Sequence, residues 1–319
     1  MIELKSYKLQ FRCYQRRFDH PLQTHHGLWE VREGILLKLT DELGKVNWGE
    51  IAPISWFGSE TLEQALEFCQ QLPSEITQAS LFSVPDRLPA CQFGFESILK
   101  PQTSNLKIQS SKLSALLPAG NLVLNAWKAP WEAGHRTFKW KIGVDVQELE
   151  LLEQLVGALP PTAKLRLDAN GGLGVSAARE WLKMCGRLGI EFLEQPLSID
   201  EFDAMLNLAA EYATPLALDE SVATLAQLKT CYDAGWRGVF VIKPAIVGSP
   251  TRLRQFCQER AIDAVFSSAL ETAIGRQAGL QLAAELSNPE RAIGYGTTHW
   301  FTDQFTDRSE DFEQLWEHL

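Results

Sequence analysis

Residues 164–170 read KLRLDAN, and four stretches with the same design stand around them: FKWKI (138–142), EFLEQP (191–196), LALDES (216–221) and VFVIKP (239–244). Side chains alternate across a β-strand, so each such run has two distinct faces. In FKWKI, Phe138, Trp140 and Ile142 share one face while Lys139 and Lys141 share the other. In KLRLDAN, Leu165 and Leu167 oppose Arg166, Asp168 and Asn170. If helices cover the apolar face, the charged face must point inward, as it does in a closed barrel.

Spacing supports the barrel. Lys141, Asp168, Glu194, Asp219, Lys243 and Ser267 follow one another at intervals of 27, 26, 25, 24 and 24 residues. One strand, one helix and two loops take that length in a barrel of roughly 250 residues. Each residue therefore holds the equivalent place at the C-terminal rim of successive strands, where barrel enzymes carry their chemistry.

Working outward, strand-like runs recur from about residue 110 (LSALLPA, RTFKWKIG, KLRLDAN, EFLEQPL, PLALDES, GVFVIKPA, DAVFSSAL, RAIGYGT), and helical stretches such as VQELELLEQLVGAL and SAAREWLKMCGRL separate most of them. The connection from LPAGNLVLN to RTFKWK shows no convincing helix, so the pattern predicts an α/β fold with a (β/α)7β TIM-type barrel over residues 106–300. No G-x-G-x-x-G follows the first strands, which argues against a dinucleotide fold.

Residues 1–105 have a different rhythm. KLQFRCYQRRF, GILLKLTD and VNWGEIAP alternate like antiparallel strands, and SETLEQALEFCQQL has helical spacing with Ser59 as its N-cap. This predicts a small α+β unit with two loops, HPLQTHHGLWEVREG (20–34) and PISWFGSE (53–60), whose Trp29, Trp56 and Phe57 are positioned to cover something or to pack within their own domain. Residues 301–319 form a C-terminal segment expected to pack back on this unit.

Composition bounds the function. The chain has 319 residues, 45% hydrophobic and 22% charged, with a net charge of -10. Such acidity argues against nucleic acid or an anionic membrane as a partner. The N-terminus lacks the apolar run of a signal peptide, and no segment approaches the roughly 20 apolar residues that span a bilayer. A cytoplasmic protein with six reduced, scattered cysteines is expected. Its oligomeric state is left open.

A lone acid at a strand end is usually a helix cap. Inward charges on five consecutive strands need a shared purpose, because each unpaired buried charge costs several kcal/mol. Asp168, Glu194 and Asp219 would repel one another without a cation among them, and an all-oxygen set suits a hard ion such as Mg²⁺. Lys141 and Lys243 flank this group, and a lysine close to Mg²⁺ and a second cation, here Lys139, is depressed toward the range of a general base. The implied reaction is removal of a proton next to a carboxylate through a metal-bound enediolate.

The order K-x-K, D-x-N, E-Q-P, D-E-S, K-P resembles the enolase superfamily in its muconate-cycloisomerase subgroup, and within it the o-succinylbenzoate synthase family. The resemblance runs from GEIAP (49–53) in an N-terminal capping domain to the last barrel strand. It implies that Asp168, Glu194 and Asp219 hold Mg²⁺, with Mn²⁺ able to substitute. Lys141 would be the base and then the acid. Lys243 would stabilise the enediolate, and Lys139 would tune Lys141 and touch the substrate carboxylate. Asn170, Ser267 and Ser268 would bind substrate, and the loops with His25, His26 and Trp29 and with Trp56 and Phe57 would set specificity.

The implied reaction is dehydration of 2-succinyl-6-hydroxy-2,4-cyclohexadiene-1-carboxylate, a small-molecule carboxylate, to o-succinylbenzoate in menaquinone or phylloquinone biosynthesis. DAVFSSAL lacks the seventh-strand histidine of mandelate-racemase relatives, and GYGTTHWF lacks the acids of dipeptide epimerases, Asp303 coming too late to replace them. An N-acylamino-acid racemase or another epimerase stays open, because lysines on both sides suit it equally. A non-catalytic barrel would show decayed ligands, and all of them are intact here. A Schiff-base lysine would not need three carboxylates in register.

Overall fold

Four antiparallel strands open the chain: β1 (Ser6–Thr24), β2 (Gly27–Asp41), β3 (Val46–Ile51) and β4 (Glu75–Thr77), in spatial order β3-β2-β1-β4. They belong to a computed structural model that describes residues 5–24, 27–99, 108–143, 147–297, 300–301 and 312–319. In β2, Ile35, Leu37 and Leu39 face the main core, while Leu36 joins Tyr14, Trp48, Ile274 and Trp316 on the other side. Both faces of the strand centre are therefore covered. Trp316 comes from the helix Phe312–Glu317; its ring lies 5.6 Å from that of Trp48, and its carbonyl accepts from Arg12 at 2.5 Å. Burying a side chain the size of Leu36 contributes about 1.5–3 kcal/mol, which fixes this terminal helix on the sheet.

Two local expectations change. The stretch HPLQTHHGLWEVREG is not a loop: β1 and β2 run on as a long hairpin in which Leu22 pairs with Trp29. A register shift between Arg17 and Leu22 absorbs Pro21, which has no N–H for the ladder. His25, His26 and Asp303 lie outside the described residues. The helix Leu62–Gln71 is capped by Thr61 rather than Ser59, through a reciprocal box with Gln64 at 2.9 and 3.2 Å. Such a cap contributes about 1 kcal/mol. Ser59 instead accepts from the Ile54 N–H at 2.7 Å and closes the turn that carries Trp56 and Phe57.

The barrel follows. Its strands are β5 (Leu113–Leu117), β6 (Thr137–Lys141), β7 (Lys164–Asp168), β8 (Phe192–Glu194), β9 (Leu216–Leu218), β10 (Val239–Ile242), β11 (Asp263–Phe266) and β12 (Ile293–Gly296). All are parallel, in the order β11-β10-β9-β8-β7-β6-β5-β12. Ser267 closes the ring by a parallel bridge to Gly294, and the Ser268 N–H donates to the Gly294 carbonyl at 3.0 Å. The approach is so close that a Cβ on Gly294 would stand 2.6 Å from Ser267 Oγ. Only short helical turns, Val123–Ala126 and Lys128–Glu132, link β5 to β6; full helices follow the later strands, ending with Ala273–Leu286. No helix among the described residues is long and apolar enough to cross a membrane.

The strand alternation holds. Phe138, Trp140, Leu165 and Leu167 are buried in the layer between strands and helices. Inside the barrel, Phe192, Ala217, Val239, Val241 and Val265 form an apolar plug. Arg166 belongs to the floor: it pairs with Glu191 at 2.7 Å and stacks over Phe192 at 4.7 Å. Arg291 completes the floor by pairing with Glu191 at 3.1 Å and Asp263 at 2.6 Å. The plug and these ion pairs close one end and leave the C-terminal rim as the open mouth.

Candidate active site

Lys141, Asp168 and Glu194 are direct neighbours across the sheet, because Lys141 pairs with Asp168 and Asp168 with Glu194. Asp219, Lys243 and Ser267 each follow the last residue of their strand. In the closed ring of eight strands β6 and β10 lie four places apart, so Lys141 and Lys243 stand on opposite walls with the acidic strand ends between them.

A cavity of about 130 Å³ opens at this mouth. Lys139, Lys141, Asp168, Asn170, Asp219, Lys243, Ser267 and Ser268 line it from the barrel, and Trp29, Ile54, Trp56 and Phe57 from the N-terminal unit. Glu194 does not line it; it is buried, with its Oε1 2.6 Å from the Lys139 ammonium. Lys139 also reaches Asp168 Oδ2 at 2.9 Å, and Lys243 pairs with Asp219. Lys139 is thus held by two carboxylates and does not stand free beside Lys141.

These charges are unequal in cost. Burial opposes the charge of Lys139, but Asp168, Glu194 and Asp219 outweigh it and raise its pKa. Burial also works against ionised Asp168, yet Lys139 and Lys141 hold it below the usual carboxylate range. Glu194 is pushed up to about 8 by burial, reinforced by the charges of Asp168 and Asp219. Glu194 is therefore short of positive charge, and a divalent cation beside it would relieve that shortage.

Two residues that the spacing did not single out complete the rim. Glu220 follows Asp219 and lines the cavity; its Oε1 accepts from Asn170 Nδ2 at 3.0 Å, and its buried Oε2 has no hydrogen-bond partner among the described residues. Burial and the charges of Asp219 and Asp168 raise it to about 7. Gln195, fully buried, accepts from the Asp219 N–H at 3.1 Å and donates to Ser221 Oγ at 2.8 Å. Gln195 and Asn170 both adopt positive φ, 36° and 45°. Such strain is kept only where the surroundings impose it. The E-Q-P and D-E-S strings were the available signal.

The expected substrate contacts are more constrained than the residue types suggest. Asn170 spends its amide on Asp168 and Glu220. The Ser267 and Ser268 N–H groups are paired with the Ile242 and Gly294 carbonyls, and the Ser268 hydroxyl donates to Glu271 at 3.1 Å. The Ser267 hydroxyl, 3.4 Å from the Gly294 carbonyl, is the looser donor. Above the mouth, edge-on aromatic pairs form a chain: Phe18 to Trp29 (5.2 Å), Trp29 to Trp56 (5.4 Å) and Trp56 to Phe57 (5.9 Å). The Phe57 ring lies 3.9 Å from the Lys243 ammonium.

Among the described residues no three acidic, histidine or cysteine side chains already converge as a closed metal cage. The lysine ammonium groups occupy the carboxylate oxygens instead. In Lys139 a cation already bridges two of the three acids, and every candidate donor is a hard oxygen. Asp168, Glu194 and Asp219 are the residues that fit a divalent ion.

Comparison with known proteins agrees with this geometry. Residues 123–314 match the family model described as Enolase C-terminal domain-like, and residues 8–100 match the MenC N-terminal domain. An o-succinylbenzoate synthase of Thermosynechococcus vestitus is 42% identical over 97% of this chain and 98% of its own. A solved o-succinylbenzoate synthase from Thermosynechococcus elongatus BP-1, described as complexed with Mg in the active site, superposes with a TM-score of 0.91 at 40% identity, covering 98% of this chain and 100% of that one. An N-succinyl Arg/Lys racemase from Bacillus cereus shares the fold at a TM-score of 0.77 and 18% identity, covering 95% of this chain and 89% of its own. The chain belongs to the o-succinylbenzoate synthase family of the enolase superfamily.

Proposed function

We propose that the chain dehydrates 2-succinyl-6-hydroxy-2,4-cyclohexadiene-1-carboxylate to o-succinylbenzoate, as a carbon–oxygen lyase in menaquinone or phylloquinone biosynthesis. The observation that carries this reading is 42% identity to an o-succinylbenzoate synthase over 97% of the chain, with lysines on both walls of the mouth. The metal is Mg²⁺, with Mn²⁺ able to substitute. Residues 1–105 serve as the cap, 106–300 as the barrel and 301–319 as the segment that returns to the cap.

Asp168, Glu194 and Asp219 hold the metal, which supplies charge stabilisation for the substrate carboxylate. Lys141 takes the proton from the carbon next to that carboxylate, and the C–H electron pair moves into the carboxylate-conjugated system. The same nitrogen then returns the proton to the departing hydroxyl, the C–O bond breaks, and water leaves as the ring becomes aromatic. Lys243 faces the developing negative charge from the opposite wall. Trp29 and Trp56 close the cavity against water, and Ser267 offers its loosely held hydroxyl for the succinyl carboxylate.

With Mg²⁺ present, the protein is expected to aromatise the cyclohexadiene carboxylate, and EDTA to abolish turnover. Absence of turnover by folded, metal-loaded protein sinks this reading. The second reading, an N-acylamino-acid racemase, rests on the same pair of opposed lysines. Exchange of the α-proton of N-acylamino acids in deuterated water separates the two.

A further inference from the structure

We propose that Arg32, which does not line the cavity, is a positioning residue that clamps three of its walls together. Arg32 is buried to 1% exposure, and its guanidinium is accepted by four backbone carbonyls. Nε donates to Ala269 at 3.1 Å, Nη1 to Glu33 at 2.6 Å and Pro53 at 2.8 Å, and Nη2 to Ala52 at 2.5 Å. A buried cation is tolerated when its donors are met, and here backbone carbonyls take up four of its five N–H groups.

Each acceptor belongs to a segment that carries a cavity residue. Ala269 sits in the loop with Ser267, Ser268 and Leu270. Ala52 and Pro53 lead directly into Ile54, Trp56 and Phe57. Glu33 continues the strand that presents Trp29, and the guanidinium itself lies 5.6 Å from the Trp29 ring centre.

The loop after β11 needs such a hold. Leu270 adopts φ 61° there, a left-handed conformation that is costly for leucine and persists only where neighbours impose it. Glu50 of the N-terminal sheet fixes the far end of the loop by accepting from the Thr272 N–H at 2.9 Å and the Gly275 N–H at 2.8 Å. Arg32 fixes the middle. Its planar fork reaches in several directions at once, whereas a lysine ammonium is a single point charge. Arg32 thus ties the distance between the aromatic cap and the Ser267 wall to the backbone itself.

The kinetic arm of the test rests on the synthase reading; the exchange arm does not. In Arg32→Lys, KM for the cyclohexadiene carboxylate is expected to rise about tenfold, since small misplacements of a positioned substrate are costly, while Mg²⁺ affinity stays at the wild-type value. Arg32→Ala should lose more and regain activity with free guanidinium but not with methylammonium. Amide exchange should quicken together in residues 54–57 and 267–271 in both variants. KM within twofold of wild type, rescue equal with either cation, or unchanged exchange in those two segments would overturn the proposal. If Arg32→Ala does not fold, Arg32→Lys decides the outcome. If wild type shows no turnover, the synthase reading fails alone and the exchange measurement decides the clamp.

Discussion

The ammonium of Lys139 lies 2.6 Å from Oε1 of Glu194, two strands away across the barrel mouth, and 2.9 Å from Oδ2 of the intervening Asp168. One lysine therefore supplies positive charge directly to two acids that would otherwise repel each other more strongly. Removing one partner of a buried ion pair typically costs about 3–5 kcal/mol, because the remaining charge is stranded. Lys139→Met is expected to be destabilised to that extent in chelator. Mg²⁺ should then restore more stability to the variant than to wild type. Urea unfolding with and without Mg²⁺ checks this; equal Mg²⁺ shifts in the two proteins would show that Lys139 and the metal do not answer the same charge.

Phe57 touches Lys243 through its ring face at 3.9 Å. A partly buried cation–π contact contributes about 1 kcal/mol. Phe57→Leu should therefore lower kcat/KM roughly fivefold, whereas Phe57→Tyr, which keeps the ring, should stay near wild type. Steady-state kinetics on both variants read the difference. Equal losses in Leu and Tyr would point to cavity shape instead.

Gln195 holds the backbone of Asp219 and the hydroxyl of Ser221 from below. Residues that orient metal ligands typically change affinity by about 10–100-fold when removed. Gln195→Ala should weaken Mg²⁺ by that factor in calorimetric titration while the fold persists. Unchanged affinity would mean that Asp219 is positioned by its strand alone.

The barrel floor carries a pH signature. Burial works against ionised Asp263, but hydrogen bonds from Arg291 and Asn288 outweigh it and hold its carboxyl below the usual range. Its stabilisation is therefore complete above the unfolded pKa and fades as pH falls through the lower, folded one. Asp263→Asn should be less stable than wild type at neutral pH, with the gap closing below about pH 4. Unfolding free energies across that range test the sign.

The rim was legible because strand alternation has period two. Lys139, Lys141, Asp168, Glu194, Asp219 and Lys243 interrupt apolar runs on the inward face, toward the strand ends, whereas Arg166 on the same face serves the floor. Arg32 left no such trace, since its partners are backbone carbonyls, one on the next residue and the others on two segments distant in sequence. Gln195 and Glu220 stood inside the quoted strings, but a side chain that hydrogen-bonds neighbouring loops has no periodicity to betray it. Residues 20–34 looked like a loop because Pro21 and Gly27 break the alternation, and a register shift in the hairpin accommodates what the pattern could not. The Thr61 cap was readable as T-x-x-Q, yet Ser59 in front of it drew the boundary two residues early.

The central claim is that the nitrogen of Lys141 carries the proton from carbon to the departing hydroxyl. Its most direct test is the rate of aromatisation by Lys141→Ala, measured beside a titration that shows Mg²⁺ still bound. Loss of a positioned general base is expected to slow turnover by about 10²–10⁴-fold with metal affinity retained. Aromatisation at the wild-type rate by folded, Mg²⁺-bound Lys141→Ala would contradict it.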